Sequence, residues 1–281
     1  MYAIWSSTYL GMRIAVREIA PLTMAAIRFA VAGGVLLVIA IRRGARPPSL
    51  RDGWRMAPIG VLLFVGGNGF VAIAEQSVSS GGAAVVCATM PLWNGVLRRI
   101  LGERVALLEW GSLLLGFVGV VVLMGGPSLA GQPIHIALVC MSPAMWALGS
   151  LWARRTRDIG GDYATLVGPA LQMLTGAVAL AIGAALRGEP LPTHAGAGSW
   201  LALGYLLVFG SIIAFTAYAW LLRYARPIVA TSYAYVNPVL AVIIGAILYD
   251  EALGWTTVVA NILIVSAIAL ALRRPAQPPS G

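Results

Sequence analysis

The chain has 281 residues, 59% of them hydrophobic and 10% charged, with a mean hydropathy of +0.87. Soluble domains carry about 25% charged residues, so a water-soluble enzyme with a modest core is excluded. The net charge of +9 also occurs in nucleic-acid binders, but here the basic residues, all Arg, stand in short clusters between apolar runs. A nucleic-acid binder gathers them on one solvated face, so no nucleic-acid partner is expected.

A spanning helix needs about 20 mostly apolar residues, so ten spans take about 200 residues and leave roughly 80 for connections. Hydropathy predicts the first span over Met1 to Val16, the second over Leu22 to Ile41, and the third over Ala57 to Gln76. The fourth covers Gly81 to Leu97 and the fifth Glu109 to Met124. A Gly/Pro-rich break (Gly125, Gly126, Pro127, Gly131, Pro133) precedes five more. These are Ile134 to Trp152, Tyr163 to Leu186, Trp200 to Leu222, Ile228 to Tyr249 and Trp255 to Leu272. The first is short for a crossing and reads as a truncated helix or a misassigned start. Residues 273–281 read as a disordered cytoplasmic tail.

Fifteen of the nineteen arginines fall in alternate connections and the tail, among them Arg42, Arg43, Arg98, Arg154, Arg223 and Arg273. Only Arg17 and Arg187 fall on the other side, while Arg13 and Arg28 lie within spans. The positive-inside rule places both termini in the cytoplasm. Cys87 and Cys140 sit in apolar runs as small packing residues, and His135 and His194 show no metal-ligand spacing. No metal, cofactor or ATP site is expected.

The halves match in order. Gly60-Val61-Leu62-Leu63-Phe64-Val65-Gly66 in the third span answers Gly204-Tyr205-Leu206-Leu207-Val208-Phe209-Gly210 in the eighth. Pro91 in the fourth answers Pro238 in the ninth, each followed by an apolar run that ends in an acidic residue. Five is odd, so the second copy enters the membrane inverted. The expected fold is therefore an all-α polytopic membrane protein with ten transmembrane helices in two inverted five-helix repeats, residues 1–124 and 134–272. Such repeats place substrate near the midplane at the repeat interface.

Several runs carry a family likeness. They are Ile4-Trp5-Ser6-Ser7-Thr8-Tyr9, Arg28-Phe29, Gly67-Asn68-Gly69, Ala74-Glu75-Gln76, Ser80-Gly81 and Ala230-Thr231-Ser232-Tyr233-Ala234-Tyr235-Val236-Asn237-Pro238-Val239. Across essentially its whole length the chain resembles the EamA branch of the drug/metabolite transporter superfamily. The resemblance implies a ten-helix exporter of amino acids, metabolites or drugs. Asp250-Glu251 departs from the Gly-Glu that usually ends the second repeat.

Pro91 and Pro238 are the hinge candidates, because proline frees a carbonyl that must be covered by protein or line a wet cavity. Pro143 and Pro169 lack such a match and read as packing kinks. The solute-binding candidates are Trp5, Thr8, Asn68, Thr89, Trp93, Trp146, Ser211, Ser232, Tyr235 and Asn237. Asn237 stands at membrane depth, where a polar group needs a partner, although interhelical bonding is an equally ordinary use of Asn, as it is for Asn261. Trp146 lies too deep to be an interfacial anchor. Aromatic walls with few charges suit an amphipathic or zwitterionic solute. Glu75 and Arg28 are candidates for coupling or for a structural ion pair. The leading function is export of small organic solutes across the inner membrane, with solute and lipid as partners and no reading of oligomeric state. A lipid flippase and a membrane-embedded enzyme on a lipid-linked substrate stay open as alternatives.

Overall fold

The structure is a computed structural model that describes residues 1–78, 83, 86–123, 132–156, 159–237, 240 and 255–272. Among them all regular structure is helical. In chain order the helices are α1 (Tyr2–Ala15), α2 (Pro21–Arg42), α3 (Leu50–Ala74), α4 (Met90–Ile100) and α5 (Leu107–Leu123). Then come α6 (Pro133–Arg155), α7 (Ala164–Leu186), α8 (Ala197–Tyr224), α9 (Pro227–Thr231, helical again over 233–237) and α10 (Trp255–Leu272).

Local chemistry sets the starts. Pro21, Pro133 and Pro227 open α2, α6 and α9, where a missing N–H loses no helical bond. α3 begins seven residues before the Ala57 expected from hydropathy, because Ser49 and Asp52 form a capping box. Asp52 N–H donates to the Ser49 hydroxyl (3.2 Å) and Ser49 N–H to Asp52 Oδ2 (2.9 Å). That polar turn lies outside the apolar run, so hydropathy does not register it. The tail 273–281, Pro238 and Asp250-Glu251 lie outside the described residues, as does the Asn261 side chain.

Among the described residues five helices, α2, α3, α6, α7 and α8, are long and apolar enough to cross a membrane, and α5 is a shorter apolar helix. Their outer faces are apolar too. Val31, Val35 and Val38 line one exposed stripe of α2, Leu114 and Val118 one of α5, Val178 and Ile182 one of α7. Water would oppose such stripes and lipid does not. Exposed Trp54, Trp200 and Trp255 stand near helix starts, the position of interfacial anchors.

Helix pairing follows a pattern. Extensive contacts join α2 to α7, α5 to α10 and α3 to α6, and α1 packs on α8. Small residues permit the closest approaches. A Cβ on Gly33 of α2 would stand 2.9 Å from the Ala170 carbonyl oxygen of α7. One on Gly176 of α7 would stand 2.7 Å from Phe64 Cβ of α3.

The centres of α3 and α8 depart from α-helix in the same way. Val61–Gly69 and Leu206–Ile213 are π-helical. In each, a polar side chain reaches back five residues: Asn68 Nδ2 donates to the Leu63 carbonyl (3.4 Å) and Ser211 Oγ to the Leu206 carbonyl (3.2 Å). π turns are rare and are frequently found at functional sites.

Candidate functional site

A cavity lies between these π segments. α1 supplies Trp5, Thr8, Tyr9 and Met12 to its wall, α2 Arg28 and Phe29, and α3 Phe64, Gly67, Asn68 and Val71. Ser142, Pro143 and Trp146 of α6 face Gly210, Ser211 and Phe215 of α8, and Tyr233, Ala234 and Asn237 close the ring with Cys87 and Met90.

The backbone of both π segments is fastened across the molecule. Trp5 Nε1 of α1 donates to the Gly210 carbonyl of α8 (3.1 Å), and Ser142 Oγ of α6 donates to the Gly67 carbonyl of α3 (2.7 Å). These bonds are interhelical, where the alternative is an unsatisfied group in hydrocarbon.

An aromatic cluster stands at one end of the cavity. The Trp5 ring lies 4.6 Å from Tyr233, 5.1 Å from Tyr218 and 5.8 Å from Trp146, between centroids. Tyr218 is wholly buried. Its hydroxyl accepts from Trp146 Nε1 (3.2 Å) and shares a hydrogen bond with Ser150 (2.6 Å). Phe64 continues the wall between Phe29 (4.4 Å) and Phe215 (5.0 Å).

Of the sequence candidates, Trp5, Thr8, Asn68, Trp146, Ser211, Asn237 and Arg28 come together here. The amide end of Asn237 lies 3.0 Å from the Tyr233 carbonyl and 3.2 Å from both the Tyr2 carbonyl and Ser6 Oγ; because the two carbonyls can only accept, the amide nitrogen is assigned to this side. The others stand elsewhere. Thr89 Oγ1 donates to the Val86 carbonyl (2.6 Å), and Trp93 is exposed on α4. Pro91 is buried in the first turn of α4, just after a non-helical turn at 88–89. Ser232 bonds the Tyr2 hydroxyl (2.9 Å) and so ties α9 to α1. Tyr235 packs against Gly116 of α5 and donates to the Leu113 carbonyl (2.9 Å).

Arg28 and Glu75 do not form an ion pair. Arg28 Nε donates to Ser211 Oγ (2.7 Å), whereas the buried Glu75 carboxylate has no hydrogen-bond partner among the described residues. Tyr218, Phe215, Phe64 and Ser142 were not among the sequence candidates. Ser211, Phe215 and Tyr218 follow one another at intervals of four and three, the signature of one helix face. Among the described residues no group of three or more His, Cys, Asp or Glu is placed to hold a metal ion.

Two loop carboxylates cap helices near the opposite end of the cavity. Glu18, after α1, accepts from Gly196 N–H (2.8 Å) and Ser199 Oγ (2.7 Å) at the start of α8. Glu189, after α7, accepts from Thr23 N–H (2.9 Å) and its hydroxyl (3.2 Å) at the start of α2. Negative charge at a helix N-terminus is favourable. The Ser199 hydroxyl, then the Gly196 N–H, holds the Glu18 carboxyl below its ordinary range.

Two stretches of the chain, residues 1–125 and 133–273, match the EamA-like transporter family. The chain belongs to that family. The inner membrane transporter YedA of Escherichia coli (strain K12) is 42% identical over 272 residues, 96% of this chain and 87% of YedA. The transporter YdeK of Bacillus subtilis (strain 168) is 26% identical over 291 residues, 96% of this chain and 93% of YdeK. A solved crystal structure has the same fold, with a TM-score of 0.76 and 23% identity over 96% of this chain and 94% of its own. In this EamA-like chain both matched stretches wall the cavity, Arg28 and Asn68 from the first, Trp146 and Ser211 from the second.

Proposed function

We propose that this EamA-like chain is a secondary transporter of a bacterial inner membrane that exports small organic solutes by alternating access. The observation that carries this reading is a central cavity whose walls come from both halves and whose π segments face each other. The helix pairing supports two inverted five-helix repeats within ten spans. Exchanging each helix with the one five places on turns the α1–α8 contact into α6–α3 and maps the α2–α7 and α5–α10 contacts onto themselves. The cross-fastening of Gly210 by Trp5 and of Gly67 by Ser142 obeys the same exchange. Similarity to an inner membrane transporter supports the location, and the arginine distribution supports cytoplasmic termini.

In that orientation the rings of Trp5, Trp146 and Tyr233 form the cytoplasmic floor of the cavity, with the Tyr218 ring packed against all three. Aromatic surface with a few convergent polar groups is the ordinary composition of a small-molecule site. Solute binding at the interface of two inverted halves allows each half to rock against the other around a fixed site.

The test is flux of labelled amino acids and aromatic metabolites from proteoliposomes holding the purified chain. Solute-specific, saturable efflux is expected; leakage equal to empty liposomes for every solute would refute the reading. A reporter fused after Gly281 checks orientation, and activity of a periplasm-dependent reporter there would overturn the topology.

A further inference from the structure

We propose that Arg28 anchors a carboxylate of the transported solute, so that the cavity takes organic anions or zwitterions with an apolar body. The proposal rests on the reading of the cavity as the solute site and names the class of solute.

Arg28 lies on α2, is only 4% exposed and borders the cavity. Its guanidinium has five N–H donors, and among the described residues it makes one hydrogen bond, from Nε to Ser211 Oγ at 2.7 Å. Among the described residues no carboxylate pairs with it. Burying a cation without a counter-charge is strongly unfavourable, and an ionisable residue at membrane depth marks a substrate or ion pathway. The cation therefore calls for an anion, and the cavity is where one can reach it.

The guanidinium sits at the cavity wall, between α2 and α8. Ser211 holds Nε from the α8 side, and the Phe29 ring lies 4.8 Å from Cζ. Nη2 lies close to α8, 2.8 Å from where a Cβ on Gly210 would be. Position 210 thus has to be small for the head group to sit where it does. Guanidinium and carboxylate match as planar groups joined by two parallel hydrogen bonds. Trp146, Phe64 and Phe215 offer the apolar body of the solute its wall. Ser211 acts as a positioning residue, since it fixes the plane of the guanidinium through Nε.

The test compares 3-phenylpropionate with its neutral isostere 3-phenylpropionamide on the full purified chain, read by quenching of the intrinsic tryptophan fluorescence. A charge-assisted bidentate contact predicts that wild type prefers the carboxylate by about tenfold or more. Arg28→Gln is expected to bring the two affinities to within about twofold of each other. Gly210→Ala keeps the charge, crowds Nη2 and is expected to lower the preference as well, which keeps the idea testable should Arg28→Gln fail to fold. Equal affinity in wild type, binding of neither probe, or an undiminished preference in the folded Arg28→Gln chain would each overturn the proposal. If Arg28 were only a strut between α2 and α8, its replacement would lower the melting temperature and leave the preference intact. Flux is measured separately. Efflux without any preference for the carboxylate sinks this proposal and leaves the transporter standing, whereas a preference without efflux of any solute supports the anion site and sinks the transporter.

Discussion

Replacing Tyr218 with Phe removes one buried oxygen and little else. Its hydroxyl joins α8 to α6 twice, through Trp146 Nε1 (3.2 Å) and Ser150 Oγ (2.6 Å). Ser150 keeps its bond to the Trp146 carbonyl (2.7 Å), so the indole N–H is the group that loses a partner. Interhelical hydrogen bonds in membranes average about 0.6 kcal/mol, and leaving a buried donor unsatisfied costs about 1–3 kcal/mol. The two effects overlap in the indole, so the expected loss is about 2 kcal/mol. Reversible unfolding by SDS in mixed micelles measures it. Trp146→Phe removes the donor together with its need, so the double variant should be less destabilised than the sum of the singles by about 1 kcal/mol. A loss under about 0.5 kcal/mol for Tyr218→Phe, or strict additivity, would refute the hydrogen-bonded reading of this cluster.

Asn237→Leu should cut solute efflux per folded molecule at least about tenfold, because a site that hydrogen-bonds a polar group discriminates by leaving it unpaired. Lower stability with unchanged efflux, measured on the same preparation, would instead mark Asn237 as interhelical glue. Glu75→Gln removes a buried carboxylate that has no hydrogen-bond partner among the described residues and should leave SDS stability equal or raise it by about 1 kcal/mol; a loss of that size would refute the assignment. The Glu18 carboxyl titrates lower in the folded chain than when unfolded. Its contribution is full above the unfolded carboxylate range of about pH 4.3 and is lost as pH falls through the folded value. Melting curves of Glu18→Gln between pH 6 and 3 should therefore fall less steeply than wild type, and parallel curves would contradict the capping role.

Much of the architecture was legible because lipid makes apolar length a direct signal. The heptapeptide match between residues 60–66 and 204–210 falls on the two π-helical segments, although nothing in the letters announces a π turn. Parts of the cavity wall were less legible. Tyr233 and Tyr235 are two residues apart, so on a helix they point to opposite sides; Tyr233 and Asn237, four apart, share a face. The structure puts that pair on the cavity and Tyr235 against α5. Proximity to a proline, which drew attention to Thr89 and Trp93, says nothing about facing. Charge alone suggested Arg28 with Glu75; the partner found, Ser211, is a hydroxyl on a distant helix, and no local pattern specifies such a pairing.

The carbonyls of Gly67 and Gly210 have a consequence for how this protein will answer mutagenesis. Each belongs to the peptide backbone and receives a side chain from the opposite half. No exchange of one side chain for another at position 67 or 210 deletes these acceptors. A library of point substitutions will score the donors, Ser142 and Trp5, and remain blind to the oxygens they meet. Their share becomes visible only when the amide itself is altered, for instance by ester replacement at the following residue, which weakens the acceptor without changing any side chain. Part of what lines this cavity is therefore written in the main chain, beyond the reach of the genetic code's twenty letters.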